Sequence, residues 1–166
     1  MSSKHEASRT APTATTPAAG INDGRRVVLV AASGNTTSPI LAMWFHEPGA
    51  TGAYAVPAGF RLILTGLSGS GGTVLGDYWQ VGAIGCSGVG GDSTFFRFVP
   101  TPATPPEIGS AGGNFSYWTL TAPLSVAVNA GERLNFTLTH RAVNDSGVPL
   151  EANFTAYLTG YLVAVA

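Results

Sequence analysis

Residues 154–162 read FTAYLTGYL, and apolar and hydroxyl-bearing side chains alternate along this run. Successive side chains of a strand point to opposite faces, so the run predicts a strand with two unlike sides. The apolar side carries Phe154, Ala156, Leu158 and Leu162. The other side carries Thr155, Tyr157, Thr159 and Tyr161. We expect the first side to lie in a core, and the second to be plain surface or, since tyrosine is favoured at interfaces, a contact with a neighbour.

A second pattern occurs twice in the chain. Residues 56–65 read VPAGFRLILT and residues 128–137 read VNAGERLNFT, so Val, Ala, Gly, Arg, Leu and Thr recur in register. Each copy predicts a tight turn followed by a strand, with Gly59 or Gly131 free to take a positive φ. The copies lie too far apart for a solenoid repeat. Equivalent turns in the two halves of a Greek-key sandwich would account for them.

Short β-branched, aromatic and aliphatic runs fill the rest of the chain, separated by clusters of Gly, Pro, Asn and Ser. No segment has an apolar period near 3.6 residues, and parallel strands would need helical crossovers. The sequence therefore predicts an all-β fold, an antiparallel β-sandwich or jelly roll with an extended N-terminal arm. The predicted strands are residues 27–31, 40–45, 60–67, 73–84, 94–99, 115–121, 124–128, 133–140 and 152–165.

The first 26 residues differ from the rest in composition. They are rich in Ser, Thr, Ala, Pro and Gly, and Ile21 is their only large aliphatic side chain after Met1. Such a segment cannot offset the roughly 1–2 kcal/mol per residue that ordering costs. We expect a flexible or partner-ordered arm, residues 1–26, and a β-sandwich domain, residues 27–166. The arm is either a passive tail or a docking segment that becomes ordered on a partner.

Charge divides along the same boundary. The arm carries Lys4, Arg9, Arg25 and Arg26 against two acids, a net of +2, whereas four arginines and seven acids give the remainder −3. The overall charge of −1 offers no general field for nucleic acid. Charged residues are 10% of the chain, against roughly 25% in ordinary soluble domains. This is typical of a surface covered by neighbours, although a low-charge secreted domain has a similar composition.

No targeting or spanning segment is predicted. The start of the chain lacks the apolar run of a secretory signal, and no stretch of 18 apolar residues occurs. We expect synthesis in a cytosol and no membrane partner.

Few residues have the setting that catalysis or metal binding needs. His46-Glu47 and Cys86 would form a metal site only if the fold brought them together. His140, Asp145 and a serine could be imagined as a hydrolytic triad, but no Gly-x-Ser-x-Gly elbow is present. Cys86 lies in a Gly-rich strand end and is interpreted as a small buried side chain, with a reactive thiol as the alternative. We predict no catalytic residue, no cofactor and no metal, and hence no enzyme.

Two adjacent aromatic pairs, Tyr78-Trp79 and Tyr117-Trp118, stand on predicted strands. In a regular strand one ring of each pair faces away from the core. Such a ring can stack on a sugar, fill a subunit interface or enter the core of a second sheet. The candidate partner-binding residues are Lys4, Arg9, Arg25, Arg26, Tyr78, Trp79, Tyr117 and Trp118.

The phrases VPAGFRLILTGL (56–67), VNAGERLNFT (128–137) and YLTGYLVAVA (157–166) resemble small jelly-roll proteins of tailed bacteriophages, which include capsid decoration (cement) proteins. The resemblance covers about residues 53–166. It implies a jelly-roll subunit, commonly trimeric, attached to a capsid or tail, and it brings no catalytic residues. The function expected is a decoration subunit on the capsid surface of a virion, made in the host cytoplasm, with the major capsid protein and its own copies as partners. The alternative is a head-fibre, tail-fibre or glycan-binding receptor module.

Overall fold

The computed structural model describes residues 26–74, 77–88, 91–103, 115–141 and 150–165. All regular structure in these ranges is strand, and none of them forms a helix able to cross a membrane. The strands are β1 (Arg26–Thr36), β2 (Ile40–Trp44), β3 (Phe60–Val74), β4 (Trp79–Gly88), β5 (Gly91–Phe98), β6 (Thr101–Pro102), β7 (Phe115–Val128), β8 (Arg133–His140) and β9 (Ala152–Ala164). They form a five-stranded sheet, β1-β9-β3-β7-β6, and a four-stranded sheet, β2-β8-β4-β5. The predicted all-β sandwich is confirmed.

The strand order is that of a jelly roll. Apart from the two-residue β6, eight strands are shared equally between the sheets, and the pairings between the described strands are antiparallel. Strands β1 to β4 form one Greek key, and β5, β7, β8 and β9 form the other. The third strands of the two keys are β3 and β8. These are the strands that follow the repeated turns of the sequence.

The two repeated turns have the same local structure and lie side by side. Gly59 has φ 77° and Gly131 has φ 80°. In each turn the residue after the glycine donates its N–H to the carbonyl three residues earlier. The N–H of Val56 also donates to the carbonyl of Glu132 at 3.0 Å, and the N–H of Gly131 donates to the carbonyl of Val56 at 2.8 Å. The prediction of equivalent turns in two halves is confirmed, and the two turns are hydrogen-bonded to each other.

The core lies between the sheets and includes the apolar side of β9. Phe154, Ala156, Leu158 and Leu162 are all buried, as predicted. The Phe154 ring lies 5.8 Å from that of Phe136 and 5.7 Å from that of Trp79, centroid to centroid. Glycines of β3 make room for it: a Cβ at Gly71 would strike the carbonyl of Asn153 and stand 2.6 Å from the Phe154 ring. The Gly-rich stretch is therefore strand interior.

Several predicted strand boundaries were wrong, since β1 runs on to Thr36 and β3 to Val74, past the predicted ends at residues 31 and 67. Residues 115–121 and 124–128 form one strand, β7, which passes through Pro123 at an irregularity in its pairing with β3. A proline is tolerated there because a bulge does not require every N–H. The predicted strand 73–84 is interrupted, since the N–H of Asp77 donates to the carbonyl of Val74 at 3.0 Å and closes a turn between β3 and β4.

Candidate interaction surfaces

Of the four basic residues predicted to bind a partner, Arg26 alone falls within the described ranges. Lys4, Arg9 and Arg25 lie outside the described residues, as do residues 1–25 as a whole. Arg26 is the exposed first residue of β1, an edge strand of the five-stranded sheet. The arm therefore joins the domain at the edge of that sheet.

One ring of each aromatic pair faces away from the core, as predicted. Tyr78 is 46% exposed and Tyr117 40%. Trp79, by contrast, is 1% exposed, so its ring is a core side chain and offers no surface to a partner. Trp118 is half-buried, packs against the core, and donates its Nε1–H to the hydroxyl of Thr73 at 3.0 Å. Partner contact through Tyr78 and Tyr117 stays a prediction.

A buried polar cluster, which sequence reasoning missed, lies where the chain crosses between sheets. His140 Nδ1 is 2.6 Å from Asp77 Oδ2, and His140 Nε2 is 2.6 Å from the carbonyl of Ser38. The ring can donate to both oxygens at once only when doubly protonated. Asp77 Oδ1 also accepts from the backbone N–H groups of Tyr78 and Arg141.

This cluster ties together separate parts of the chain. The carbonyl of Asp77 accepts from the Thr73 hydroxyl at 3.1 Å, and Asp77 and His140 are both buried. It thereby links the β1–β2 and β3–β4 crossings to the end of β8. The hydrolytic triad considered from the sequence combined His140 with Asp145, which lies outside the described residues. No spacing rule could find Asp77, since 63 residues separate it from His140.

Cys86 and His46, the other candidate residues from the sequence, form hydrogen bonds with residues close by in the sequence. Cys86 is buried, as predicted, with its Sγ 3.1 Å from the Ser93 hydroxyl, and burial raises the pKa of its thiol. His46 Nδ1 lies 2.9 Å from the carbonyl of Gly52. Within the described ranges no three His, Cys, Asp or Glu side chains are grouped as a metal would require.

The outward side of the five-stranded sheet is a broad surface that carries a single charge in the described strands, Arg61 near the start of β3, opposite Val163. We call the remainder of this side the uncharged face. It comprises outward positions of four strands: Val27, Leu29, Ala31, Ser33, Asn35, Ile63, Thr65, Ser68, Ser70, Tyr117, Thr119, Thr121, Ser125, Ala127, Asn153, Thr155, Tyr157, Thr159 and Tyr161.

Many hydroxyls of the uncharged face bond within the sheet. Ser33 Oγ lies 2.8 Å from Thr155 Oγ1, and the hydroxyl of Thr65 donates to the carbonyl of Thr159 at 3.3 Å. The Tyr157 side chain is 43% exposed, so the tyrosine–threonine side of β9 faces outward as predicted. Nine residues along four strands span roughly 30 Å by 19 Å. That plan area, roughly 570 Å², approaches the ~800 Å² that one partner contributes to a standard interface.

The outward side of the four-stranded sheet has a different form. It holds a groove of about 370 Å³, which we call the Trp44 groove. Its lining residues are Ala42, Met43, Trp44, Ser87, Asp92, Ser93, Thr94, Asn135, Phe136 and Thr137. The indole of Trp44 is 41% exposed at one side, and Asp92 on β5 is exposed at the other. Sequence reasoning took Trp44 for part of an apolar strand and did not single it out.

Comparison with known proteins gives little beyond this geometry. No family model matches the chain. No curated protein matches it either. Among solved structures, a chain described as "Cyanophage Pam1 capsid asymmetric unit" is similar at 13% identity and a TM-score of 0.37, over 93% of this chain and 98% of that one. At that TM-score the likeness carries no argument about function.

Proposed function

We propose that this protein is a structural subunit of a phage virion, a decoration or cement protein that attaches to the outer surface of the shell. The observation that carries the proposal is the uncharged face, together with the arm that joins its edge at Arg26. The role is binding and not catalysis.

The composition of the uncharged face suits a contact that is kept buried. Depletion of charge and enrichment in tyrosine distinguish the centre of a protein interface from other surface. A free soluble domain would normally intersperse charged side chains over so wide an area. A complementary partner surface would be a flat patch of uncharged polar and aliphatic side chains on the shell subunits.

The arm supplies the second half of the contact. Residues 1–26 carry a net +2, and fully extended they reach about 80 Å, enough to cross a neighbouring subunit. Because Val27 is the first residue of the uncharged face, the arm enters the domain directly beside that face. We propose that the arm lies on an acidic strip of the shell beside the patch that the face covers. Each exposed ion pair would add only modest affinity.

The subunit is proposed to be a homotrimer whose three arms attach together. The resemblance to phage jelly-roll proteins supports this state, and closed symmetry multiplies a weak contact without new chemistry. Light scattering on the purified protein tests it: a mass three times 16.9 kDa is expected, and a monomer would contradict it.

The decisive experiment measures occupancy on purified shells by cryo-EM. Tyr157→Arg, in the uncharged face, is expected to lower the affinity at least tenfold, because the interface would bury an unpaired charge. Val81→Arg is the matched control, since Val81 is 44% exposed on the other sheet, and it should bind like the wild type. Circular dichroism establishes that both variants fold.

Deletion of residues 2–25 tests the arm and keeps Arg26 as the start of β1. We expect weaker attachment with a smaller dependence on salt, because the charged part of the contact is gone. Full occupancy by both this variant and Tyr157→Arg would overturn the proposal. If the protein sediments with tails and never with shells, the fibre or receptor-binding alternative replaces it.

A further inference from the structure

We propose that the Trp44 groove is a binding site for a neutral saccharide. This goes beyond attachment to a shell, because the groove lies on the sheet opposite the uncharged face. A subunit attached through that face would present the groove to the surroundings.

The groove is built by one row of residues that crosses all four strands. Trp44 pairs with Asn135, Asn135 with Gly85, and Gly85 with Thr94. Directly opposite residues of an antiparallel pair hold their Cβ atoms about 4.5–5.5 Å apart, so the indole stands beside the Asn135 amide. Gly85, in the middle of the row, has no side chain and is buried, which lets the Asn135 amide lie close to the strand.

The floor is held tightly. A Cβ at Gly85 would strike the carbonyl of Ser93 and stand 3.0 Å from Asn135 Oδ1. Asn135 Nδ2 donates to the Ser87 hydroxyl at 3.2 Å, which fixes the amide. The amide oxygen and the hydroxyl hydrogen of Ser87 are then the groups that remain to bind a ligand. The site is preorganised, so little ordering cost opposes a small ligand.

The lining matches the chemistry of a sugar ring. A pyranose has apolar C–H faces and a rim of hydroxyls that both donate and accept. An exposed indole offers a flat apolar surface with a polar edge. Asp92 and Asn135 supply strong acceptors, while Ser87 and Thr94 supply hydroxyls. The volume of about 370 Å³ lies at the low end of the range for small-molecule sites, which suits one or two sugar rings.

Other ligand classes fit less well. No lysine or arginine is among the lining residues, and the arginine beside them, Arg133 opposite Ser87, lies outside the groove. The Asp92 carboxylate would repel phosphate and carboxylate groups. An extended peptide would pair with a strand edge, whereas this groove lies on the face of the sheet.

The test is a titration of the full-length protein with glucose, galactose, mannose, N-acetylglucosamine and N-acetylgalactosamine, each to about 50 mM, followed by ¹H–¹⁵N NMR. The Trp44 indole N–H signal, assigned with Trp44→Phe, should shift with at least one of them. A dissociation constant of roughly 1–10 mM is expected for so small a ligand.

Matched variants locate the binding. Trp44→Ala should weaken it at least tenfold, and Asp92→Asn severalfold. Tyr117→Ala is the control, since Tyr117 is as exposed as Trp44 but lies on the other sheet. Sialic acid should bind at least tenfold more weakly than the best neutral sugar, and Asp92→Asn should narrow that gap.

No shift with any neutral sugar, or unchanged binding by Trp44→Ala, would overturn the inference. Trp44→Ala leaves the uncharged face intact, and Tyr157→Arg leaves the groove intact. Failure of the saccharide site and failure of shell attachment are therefore separate results.

Discussion

The outward faces of the two sheets share a strand geometry and differ in side-chain size and charge. On the five-stranded sheet the projecting residues other than Arg61 are uncharged, and many of their hydroxyls bond within the sheet. On the four-stranded sheet a groove lies between Trp44 and Thr94. A flat face can cover area on a macromolecule, whereas a depression can surround a small ligand. Under the two proposals, one sandwich carries two surfaces that bind partners of different size.

The largest expected effect comes from a substitution that destabilises the whole sandwich and so disturbs both surfaces together. Asp77→Ala takes away the buried partner of His140 and the acceptor of two backbone N–H groups. Breaking a buried pair costs about 3–5 kcal/mol. We expect a loss of that size in the free energy of unfolding, which urea denaturation measures. Asp92→Ala, at an exposed carboxylate, should stay within about 0.5 kcal/mol of the wild type. Equal losses from both variants would show that the buried cluster does not hold the sheets together.

A smaller effect separates the two faces. Gly66→Ala places a Cβ 2.8 Å from the Thr159 hydroxyl oxygen on the uncharged face, and Gly85→Ala places one against the carbonyl of Ser93 beside the groove. We expect each to lower the free energy of unfolding by about 1–3 kcal/mol. Gly66→Ala should weaken shell attachment and spare the Trp44 indole signal, and Gly85→Ala should do the reverse. The same change in both readouts for both variants would mean that the faces are coupled.

The repeated turns test whether the two sheets are supported alike. Gly59→Ala precedes β3 and Gly131→Ala precedes β8, and each forces alanine into positive φ. Each should cost about 1–2 kcal/mol in urea unfolding. Gly52→Ala is the control, because its Cβ would meet open space without a positive φ. Since the turns are hydrogen-bonded to each other, the double variant should depart from additivity by at least about 0.5 kcal/mol.

The smallest expected effect is a pH dependence from Cys86, in the strand beneath the groove. Burial raises the pKa of its thiol in the folded protein, so the folded state keeps a proton that the unfolded state loses. The stability contributed this way is present below the ordinary thiol pKa and is lost as the pH rises above it. Cys86→Ala should flatten the fall in the urea midpoint on the alkaline side. An identical pH profile would contradict it.

The period-two pattern of β9 and the repeated turns sufficed to predict the sandwich, because both are local signals with direct backbone causes. The break predicted between residues 121 and 124 was wrong because it also relied on a local signal. A proline usually ends a strand, but the bulge that accommodates Pro123 depends on β3, which is far away in the sequence. The Asp77–His140 pair and the Trp44 groove depend on register between distant strands. Trp44 fell within the predicted strand 40–45, and because its neighbours are apolar the alternation alone did not say which of them faced out.

The pairing of β1 with β9 has a consequence for how the protein is made. Arg26 lies opposite Leu162, so the first described strand has no complete β9 to pair with until residue 162 has been synthesised. Closure of the five-stranded sheet must therefore wait for the synthesis of β9, and a topology so rich in distant pairings folds in about milliseconds to seconds. Until then the future uncharged face is an incomplete sheet with open edges, open to pairing with other chains. The attachment that we propose can begin only after this sheet has closed.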